Sequence, residues 1–242
     1  MPKLIIANWK SNHTLESAQE WVEQMVDLLQ EEQVVSNPEV AVAPPLPFLL
    51  SLREQLEGLG IKLATQDIST FEAGSYTGEV GAHNLLGLGV QYVLVGHSER
   101  RQLFGETHQE VALKAVRVVQ AGIKPVICVD KPYFADQLEQ LRQEFVEAGL
   151  EVASSDLLIA YEPIEAIGSG QGAALEQVRA LMQEISTKLP KAKILYGGSV
   201  TAANVAEYLA VCDGVLVGGA SLQAASFAEI IKQAAQEQSQ SE

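Results

Sequence analysis

Basic residues are scarce in this chain of 242 residues, which has 16 lysines and arginines against 31 aspartates and glutamates. At a net charge of −15 the sequence offers no basic surface that could neutralise phosphates, so we expect no nucleic-acid partner. The same excess of acid means that any anionic ligand has to be held by a local positive site.

Cysteine and histidine are also scarce, with 2 and 4 residues. Cys128 and Cys212 lie in or beside apolar runs, which predicts buried thiols and no disulfide framework. No cluster of His, Cys, Asp and Glu has the spacing of metal ligands, so we expect no metal site.

Long apolar runs are missing as well, since none reaches the roughly 18 residues that can span a bilayer. Residues 1–7 show no signal-peptide pattern, and we therefore expect a cytoplasmic protein without a membrane partner. No break in composition marks a linker, which predicts a single domain over residues 1–242 with a frayed polar tail at 236–242.

Eight short apolar runs, mostly continuous rather than alternating, predict strands that are buried on both faces of a parallel sheet. They are Leu4–Asn8, Val40–Ala43, Lys62–Gln66, Tyr92–Val95, Pro125–Val129, Leu157–Tyr161, Lys193–Tyr196 and Gly214–Val217. Helical patterns fill the gaps at Thr14–Gln33, Pro47–Leu56, Thr107–Ala121, Tyr133–Ala148, Ala174–Leu189, Ala202–Ala210 and from Ser226 onward. Capping pairs are predicted at Ser17/Glu20, Thr107/Glu110 and Ser226/Glu229.

Eight strand–helix units in this length predict an α/β fold, a closed (β/α)8 barrel of eight parallel strands with outer helices, whose usual size is about 250 residues. A doubly wound open sheet is the alternative, but no G-x-G-x-x-G follows an early strand. In a barrel, chemistry is expected at the carboxyl ends of the strands.

An acid followed by proline ends the sixth strand. Pro163 has no amide hydrogen to continue the ladder and holds Glu162 extended, so the Glu162 carboxylate can point into the mouth of the barrel. The apolar segment after it, with glycines at 168, 170 and 172, suits a hinged lid. The alternative is a strand that ends in a surface loop with Glu162 solvated.

Two glycine turns follow the last two strands, Gly197-Gly198-Ser199 and Gly218-Gly219. Their exposed amides, with a short helix from Ala220, indicate a phosphate site, although each could be only a tight turn. His97 is expected at a helix N-terminus, which favours a neutral imidazole that donates a hydrogen bond. Lys10 is a cation at the first strand end, and Glu99 could pair with it.

Together, a carboxylate base, a neutral imidazole, a lysine, a phosphate cradle and a lid predict proton transfer next to a carbonyl in a small phosphorylated substrate. Such a reaction needs no cofactor. The structural alternative for Lys10 is an ordinary surface lysine.

Several motifs in this order resemble the triosephosphate isomerase family, whose fold is the TIM barrel, along nearly the whole chain. They are Asn8-Trp9-Lys10, Ser75–Val80, Val95–Arg101, Ala160–Pro163, Ala166–Gly170, Tyr196–Val200 and Val217–Leu222. The resemblance implies a cofactor-independent interconversion of dihydroxyacetone phosphate and glyceraldehyde 3-phosphate through an enediolate.

The resemblance also implies the role of each site residue. Glu162 takes the proton from carbon, His97 polarises the carbonyl, and Lys10 stabilises negative charge. Asn8 helps to hold the substrate, while Ser98 and Glu99 lie behind the residues that touch it. The phosphate amides come from Gly168, Ser199, Gly218 and Gly219.

A homodimer, with a tetramer possible, is implied by the resemblance as well. The 71–79 loop resembles an arm that inserts into the neighbouring subunit, where Thr77 approaches the active site. The sequence itself shows only a long turn rich in Gly, Ser and Thr.

The chain departs from the family at five positions. The lid carries Glu165 where the family has Trp and Gln171 where it has Lys. After the fifth strand the chain has Asp130-Lys131 where the family has Gly-Glu, and Asp67 replaces an Asn. We expect Glu165 and Lys131 to form an ion pair that biases the closed lid, although two independent changes are the alternative. The departures keep two other readings open, a catalytically impaired barrel used for assembly or binding and an isomerase for another small sugar phosphate.

Overall fold

Eight parallel strands close into a barrel in the order of the chain. In the computed structural model, which describes residues 2–30, 38–152, 157–163 and 172–240, β8 pairs with β1 to complete the ring. The strands are β1 Leu4–Asn8, β2 Glu39–Ala43, β3 Lys62–Thr65, β4 Val90–Val95, β5 Lys124–Val129, β6 Leu158–Tyr161, β7 Lys193–Tyr196 and β8 Gly214–Val217. The expected (β/α)8 TIM barrel is confirmed.

Helices lie on the outside between most successive strands, while β3 and β4 are joined through a 3-10 turn. The helices are α1 Leu15–Gln30, α2 Leu49–Gly58, α3 Ser98–Phe104, α4 His108–Gln120, α5 Phe134–Glu147, α6 Leu175–Lys188, α7 Val205–Leu209 and α8 Ala224–Gln240. Short 3-10 turns lie at Leu46–Phe48, Ala82–Leu85 and Gly219–Ser221. Within the described ranges, no helix combines the length and the apolarity that a membrane crossing needs.

The strands are apolar on both faces because each face packs against a different layer. Leu4 and Ile6 of β1 belong to a cluster made only of strand residues, whereas Ile5 and Ala7 pack into the larger cluster that includes the helices. Alternate side chains of a strand point to opposite faces, so the first cluster fills the barrel and the second lies between barrel and helices. This explains the continuous apolar runs in the sequence.

Closure of the barrel depends on a glycine at the start of β8. A Cβ atom on Gly214 would lie 2.1 Å from the carbonyl oxygen of Leu4, the residue with which Gly214 pairs. Any side chain would therefore push β8 away from β1. The small residue is required by the close approach of two backbones.

Two of the predicted helix caps are wrong. α1 is capped by Thr14, whose Oγ1 accepts a hydrogen bond from Ser17 N, while Ser17 Oγ accepts one from Thr14 N; Glu20 takes no part in this reciprocal pair. α8 begins at Ala224, which places Ser226 inside the helix. A serine three residues before a glutamate also occurs along a helix face, so spacing alone cannot locate the end. The Thr107/Glu110 capping box is confirmed.

The other boundaries shift by a few residues. A 3-10 turn precedes α2, which therefore begins at Leu49 rather than Pro47, and β4 begins two residues earlier than predicted, at Val90. α7 is shorter than predicted. α8 continues to Gln240. Residues 31–33 of the first predicted helix lie outside the described residues.

Candidate active site

The carboxyl ends of β1, β7 and β8 and the segment after β4 surround one cavity of roughly 370 Å³. Six of the predicted site residues line it: Asn8, Lys10, His97, Ser199, Gly218 and Gly219. Parallel strands in register bring their carboxyl ends to one rim, which is why residues from opposite ends of the chain meet there. Gly168 belongs to the predicted lid and lies within residues 164–171, which are outside the described residues.

Glu162 lies in the wall behind this cavity and is fully buried. Its backbone N–H still donates to Val129 O at 2.8 Å, and the ladder stops at Pro163. Oε2 of the carboxylate accepts a hydrogen bond from Ser98 N at 2.8 Å, at the first residue of α3. Oε1 accepts none from the described residues. A buried carboxylate oxygen without a donor is poised to accept a proton.

His97 is the N-cap of α3, and its ring lies between the helix and Glu162. Nδ1 accepts a hydrogen bond from Glu99 N at 3.2 Å, so this nitrogen carries no proton. Nε2 lies 3.1 Å from Glu162 Oε1, but the N–H direction does not satisfy hydrogen-bond geometry, which is why Oε1 is left without a donor. A ring whose Nδ1 accepts a hydrogen bond carries its proton on Nε2, and this geometry supports the neutral imidazole that the sequence predicts.

Lys10 is held in place from both ends. Its backbone has a φ of 53°, unusual for a residue with a side chain, and its N–H donates to Asn8 Oδ1 at 3.0 Å. Gln66 Nε2 donates to the carbonyl of Lys10 at 2.9 Å. The ammonium group pairs with Glu99 Oε1 at 2.6 Å, as expected from the sequence. Backbone strain retained at a strand end is typical of functional positions.

The two glycine turns face Lys10 across the cavity. A Cβ atom on Gly218 would lie 3.6 Å from Lys10 Cε, so amide and cation can approach the same ligand. The short helix predicted from Ala220 is a three-residue 3-10 turn at Gly219–Ser221, anchored by Trp21 Nε1 donating to Ser221 O at 3.0 Å. Backbone N–H groups beside a lysine suit a phosphate.

Two hydrogen bonds also hold the backbone of Ala173, just after the predicted lid. Tyr196 Oη accepts a hydrogen bond from Ala173 N at 2.8 Å, and Tyr208 Oη donates to Ala173 O at 2.9 Å. The two rings stack with centroids 3.8 Å apart. Neither tyrosine is predicted to have a role, although Tyr196 directly precedes the first glycine turn.

Two further residues that were given no role, Cys128 and Arg101, lie near Glu162, and a third, Asp130, pairs with Arg101. The Cys128 thiol lies beside the carboxylate, and burial, followed by the charge of Glu162, raises the pKa of Cys128 well above its usual range. Arg101 Nη2 lies 3.9 Å from Glu162 Oε2, and Arg101 in turn pairs with the buried Asp130. The adjacency of β4 and β5, which places residues 96–101 beside residue 130, could have indicated this group.

The predicted ion pair across the lid involves residues that are not described. Lys131 is exposed after β5, but Glu165 and Gln171 lie in 164–171, outside the described residues. The pairing of Lys131 with Glu165 stays a prediction. Among the described residues, no group of three or more His, Cys, Asp and Glu could hold a metal ion.

A barrel that brings a buried carboxylate, an imidazole, a lysine and two glycine turns together at the carboxyl ends of its strands is typical of (β/α)8 isomerases that act on sugar phosphates. The family model of triosephosphate isomerase matches residues 3–234. The chain belongs to the triosephosphate isomerase family.

Individual relatives agree with the family match over nearly their full length. The triosephosphate isomerase of Paracidovorax citrulli is 44% identical, with 96% of this chain and 98% of that protein covered. Those of Delftia acidovorans and Thermus thermophilus are 41% and 39% identical, each covering 95% of this chain and 97% of the relative.

Proposed function

We propose that this protein interconverts dihydroxyacetone phosphate and D-glyceraldehyde 3-phosphate by proton transfer through an enediolate. The observation that carries the proposal is the approach of His97 Nε2 to Glu162 Oε1, 3.1 Å apart, at the wall of a cavity that also contains Lys10 and the glycine turns. Membership of the triosephosphate isomerase family supports the same reaction.

Glu162 is the general base in this proposal. Its carboxylate is buried and is not among the groups that line the cavity, so it has to leave Ser98 N and turn inward to reach a substrate carbon. The free Oε1 is the atom that accepts the proton. The hydrogen bond from Ser98 N is the backbone contact that this move has to break.

His97 and Lys10 stabilise the charge that develops on the substrate oxygens. The Nε2–H of a neutral imidazole donates a hydrogen bond to the carbonyl oxygen. The same ring can carry a proton from one oxygen of the enediolate to the other. The Lys10 ammonium supplies positive charge, and Asn8 fixes the backbone from which it projects. Since only protons move, the reaction needs no cofactor.

The phosphate end of the substrate is held by Ser199, Gly218, Gly219 and, in the lid, Gly168. In a protein with a net charge of −15, Lys10 and the amides have to provide the attraction locally. Closure of the lid would exclude water and protect the enediolate from losing phosphate. Glycolysis and gluconeogenesis as the pathways, and the cytoplasm as the location, belong to the same proposal.

A homodimer through the 71–79 loop is part of the proposal. Phe71 and Tyr76 of this arm stack with centroids 4.1 Å apart, which gives the exposed loop a defined shape. A cavity of about 640 Å³ runs from the arm to the exposed Phe104. Thr77 of the arm also lines this cavity, which a second copy of the chain would fill. Assembly of two such dimers into a tetramer stays possible.

The dimer is tested by sedimentation of two matched variants. Phe104 and Val146 are 71% and 73% exposed, but only Phe104 lies beside the arm. Phe104→Glu should produce monomers and Val146→Glu should not, because a buried unpaired charge is costly. Equal sedimentation of both variants as dimers would place the interface elsewhere.

The reaction is tested with a coupled assay that starts from glyceraldehyde 3-phosphate. The parental protein should isomerise it, and Glu162→Gln should lower kcat about 10²- to 10⁴-fold, the contribution of a general base. Glu39→Gln, which changes a carboxylate at the other end of the barrel, is the matched control. A parental protein without activity would support an impaired barrel, and activity on a five-carbon sugar phosphate instead would support the other isomerase reading.

A further inference from the structure

Two buried charges, Arg101 and Asp130, lie in a row behind Glu162, the candidate base. Arg101 lies between Asp130 and Glu162, and the exposed fractions of the three side chains are 9%, 1% and 0%. Arg101 Nη1 donates to Asp130 Oδ2, and Arg101 Nε donates to Gly96 O at 2.8 Å. Nη2 is directed toward Glu162 Oε2 at 3.9 Å and has no hydrogen-bond partner among the described residues.

Asp130 is itself fixed at the turn between β5 and α5. Its Oδ1 accepts a hydrogen bond from Tyr133 N at 3.3 Å, just before the first residue of α5, and its N–H donates to Gln137 Oε1 at 3.4 Å. The two carboxylate oxygens therefore serve two different partners. Asp130 cannot follow Arg101 if the guanidinium group moves, so it holds Arg101 in one place.

The guanidinium group of Arg101 lies within reach of two carboxylates, those of Asp130 and Glu162. It carries five N–H donors in a rigid fork and prefers a carboxylate in a two-point pair. Asp130 takes one end of this fork, and the next buried acid within reach is Glu162. Without Asp130, a buried guanidinium group would be left uncompensated, and movement to Glu162 would be its nearest remedy.

Full pairing with Arg101 would hinder a base in two ways. It would tie the Glu162 carboxylate to its resting position at Ser98 N, away from the cavity. It would also favour the charged carboxylate and so make it a weaker base. The other groups that face Glu162 are the neutral ring of His97 and the thiol of Cys128, and neither brings a positive charge.

We propose that Asp130 is a positioning residue that retains Arg101 and thereby keeps Glu162 free to move and to accept a proton. The residue acts through Arg101 and does not touch the substrate. This inference rests on the proposed role of Glu162 as the base. It gives a role to Asp130, which stands in the turn after β5 where the family has Gly.

The test is the pH profile of the isomerase reaction in Asp130→Asn. The amide has the same size as the carboxylate but does not compensate the charge of Arg101, so Arg101 should turn to Glu162. The acidic limb of the pH profile, where kcat/KM falls as the base becomes protonated, should then move about one pH unit lower. We expect kcat to fall about three- to tenfold, because a weaker base transfers protons more slowly. KM should change little, since the phosphate site is untouched. Asp130→Glu should restore the parental limb.

A second variant keeps the test decisive if Asp130→Asn folds poorly. Arg101→Met combined with Asp130→Asn removes both charges and leaves Glu162 without a competitor. The double variant should show the parental limb and a higher kcat than Asp130→Asn. Glu39→Gln, which also changes a carboxylate in an ion pair but at the other end of the barrel, should leave the limb unchanged.

The outcomes separate this role from the proposed function. If the parental protein isomerises triose phosphate but Asp130→Asn keeps the parental limb, the role of Asp130 is overturned and the function stands. A double variant that loses as much activity as Asp130→Asn would also overturn it, as would a limb that moves to higher pH. A parental protein without isomerase activity would overturn both proposals together.

Discussion

Nδ1 of His97 accepts a hydrogen bond from the backbone N–H of Glu99, at 3.2 Å across the first turn of α3. This contact fixes the tautomer, because a nitrogen that accepts a hydrogen bond carries no proton. The only ring proton is then on Nε2, the nitrogen that approaches Glu162 Oε1. The end of a helix thus decides which side of the imidazole can act as a donor.

We expect ¹⁵N NMR of the folded protein at pH 7.5 to show Nε2 of His97 protonated and Nδ1 unprotonated. The exposed His83 provides an internal reference. His97→Ala should lower kcat about 10²- to 10⁴-fold, the usual contribution of a positioned acid–base group. A doubly protonated ring at this pH would contradict the neutral donor.

Lys10 and its partner Glu99 should differ widely in their effect on the reaction. Lys10→Met removes the cation at the cavity and should lower kcat/KM about 10²- to 10³-fold, as loss of a charge-stabilising donor does. Glu99→Gln removes a pair whose side chains are 28% and 41% exposed, and such pairs contribute only about 0–1 kcal/mol. Its effect should stay below about fivefold.

Steady-state kinetics of the two variants, with Lys188→Met as the control, measure this difference. Lys188 forms an ion pair with Glu184 on α6, away from the mouth of the barrel. Equal losses in Lys10→Met and Glu99→Gln would mean that the pair acts as a unit and that the orientation of Lys10 is as important as its charge.

Asp67 should make the free energy of unfolding depend on pH. Burial raises the pKa of Asp67 above the usual 3.8, although the neighbouring Lys114 and Arg100 oppose this shift. The folded state then binds more protons than the unfolded state, and stability falls as the pH rises from about 3.8 through the folded pKa. Asp67→Asn removes this loss, so its stability relative to the parent should rise with pH.

Urea denaturation at several pH values measures the effect, and Glu110 provides a control of opposite sign. The backbone and side-chain hydrogen bonds of Thr107 lower the pKa of Glu110, so its contribution is present above its unfolded pKa and is lost as the pH falls. Glu110→Gln should therefore lose stability relative to the parent as the pH rises. The same slope in both variants would contradict the assignment for Asp67.

The barrel could be predicted because each strand is apolar on two faces and each unit repeats the same order. Short runs such as Ile5 to Ala7 carry that information locally. The places of Asn8, Lys10 and His97 at the mouth follow from their positions at strand ends. These features need only the topology of the barrel.

Contacts between distant segments could not be predicted in the same way. Ser98 N holds Glu162 Oε2 only because the first turn of α3 lies beside the end of β6. The pairing of Arg101 with Asp130 joins residues that are 29 positions apart, and no local pattern in the sequence encodes it. The choice of Thr14 over Ser17 as a cap depends on backbone angles that spacing does not encode.

Gly198→Ala should weaken both the fold and the anchor behind the lid. A Cβ atom on Gly198 would lie 2.2 Å from Tyr196 Oη and 3.1 Å from Pro163 Cγ. The hydroxyl group accepts the hydrogen bond of Ala173 N, so its displacement would release the chain that follows the lid. We expect a loss of about 1–3 kcal/mol in the free energy of unfolding, typical of an overpacked site, together with a lower kcat/KM.

Gly58→Ala is the control, because nothing lies within 4 Å of its Cβ position at the end of α2, and it should gain roughly 0.4–1 kcal/mol. Thermal unfolding and steady-state kinetics of the two variants compare them, and a Gly198→Ala protein with parental stability and activity would show that Tyr196 can move without cost.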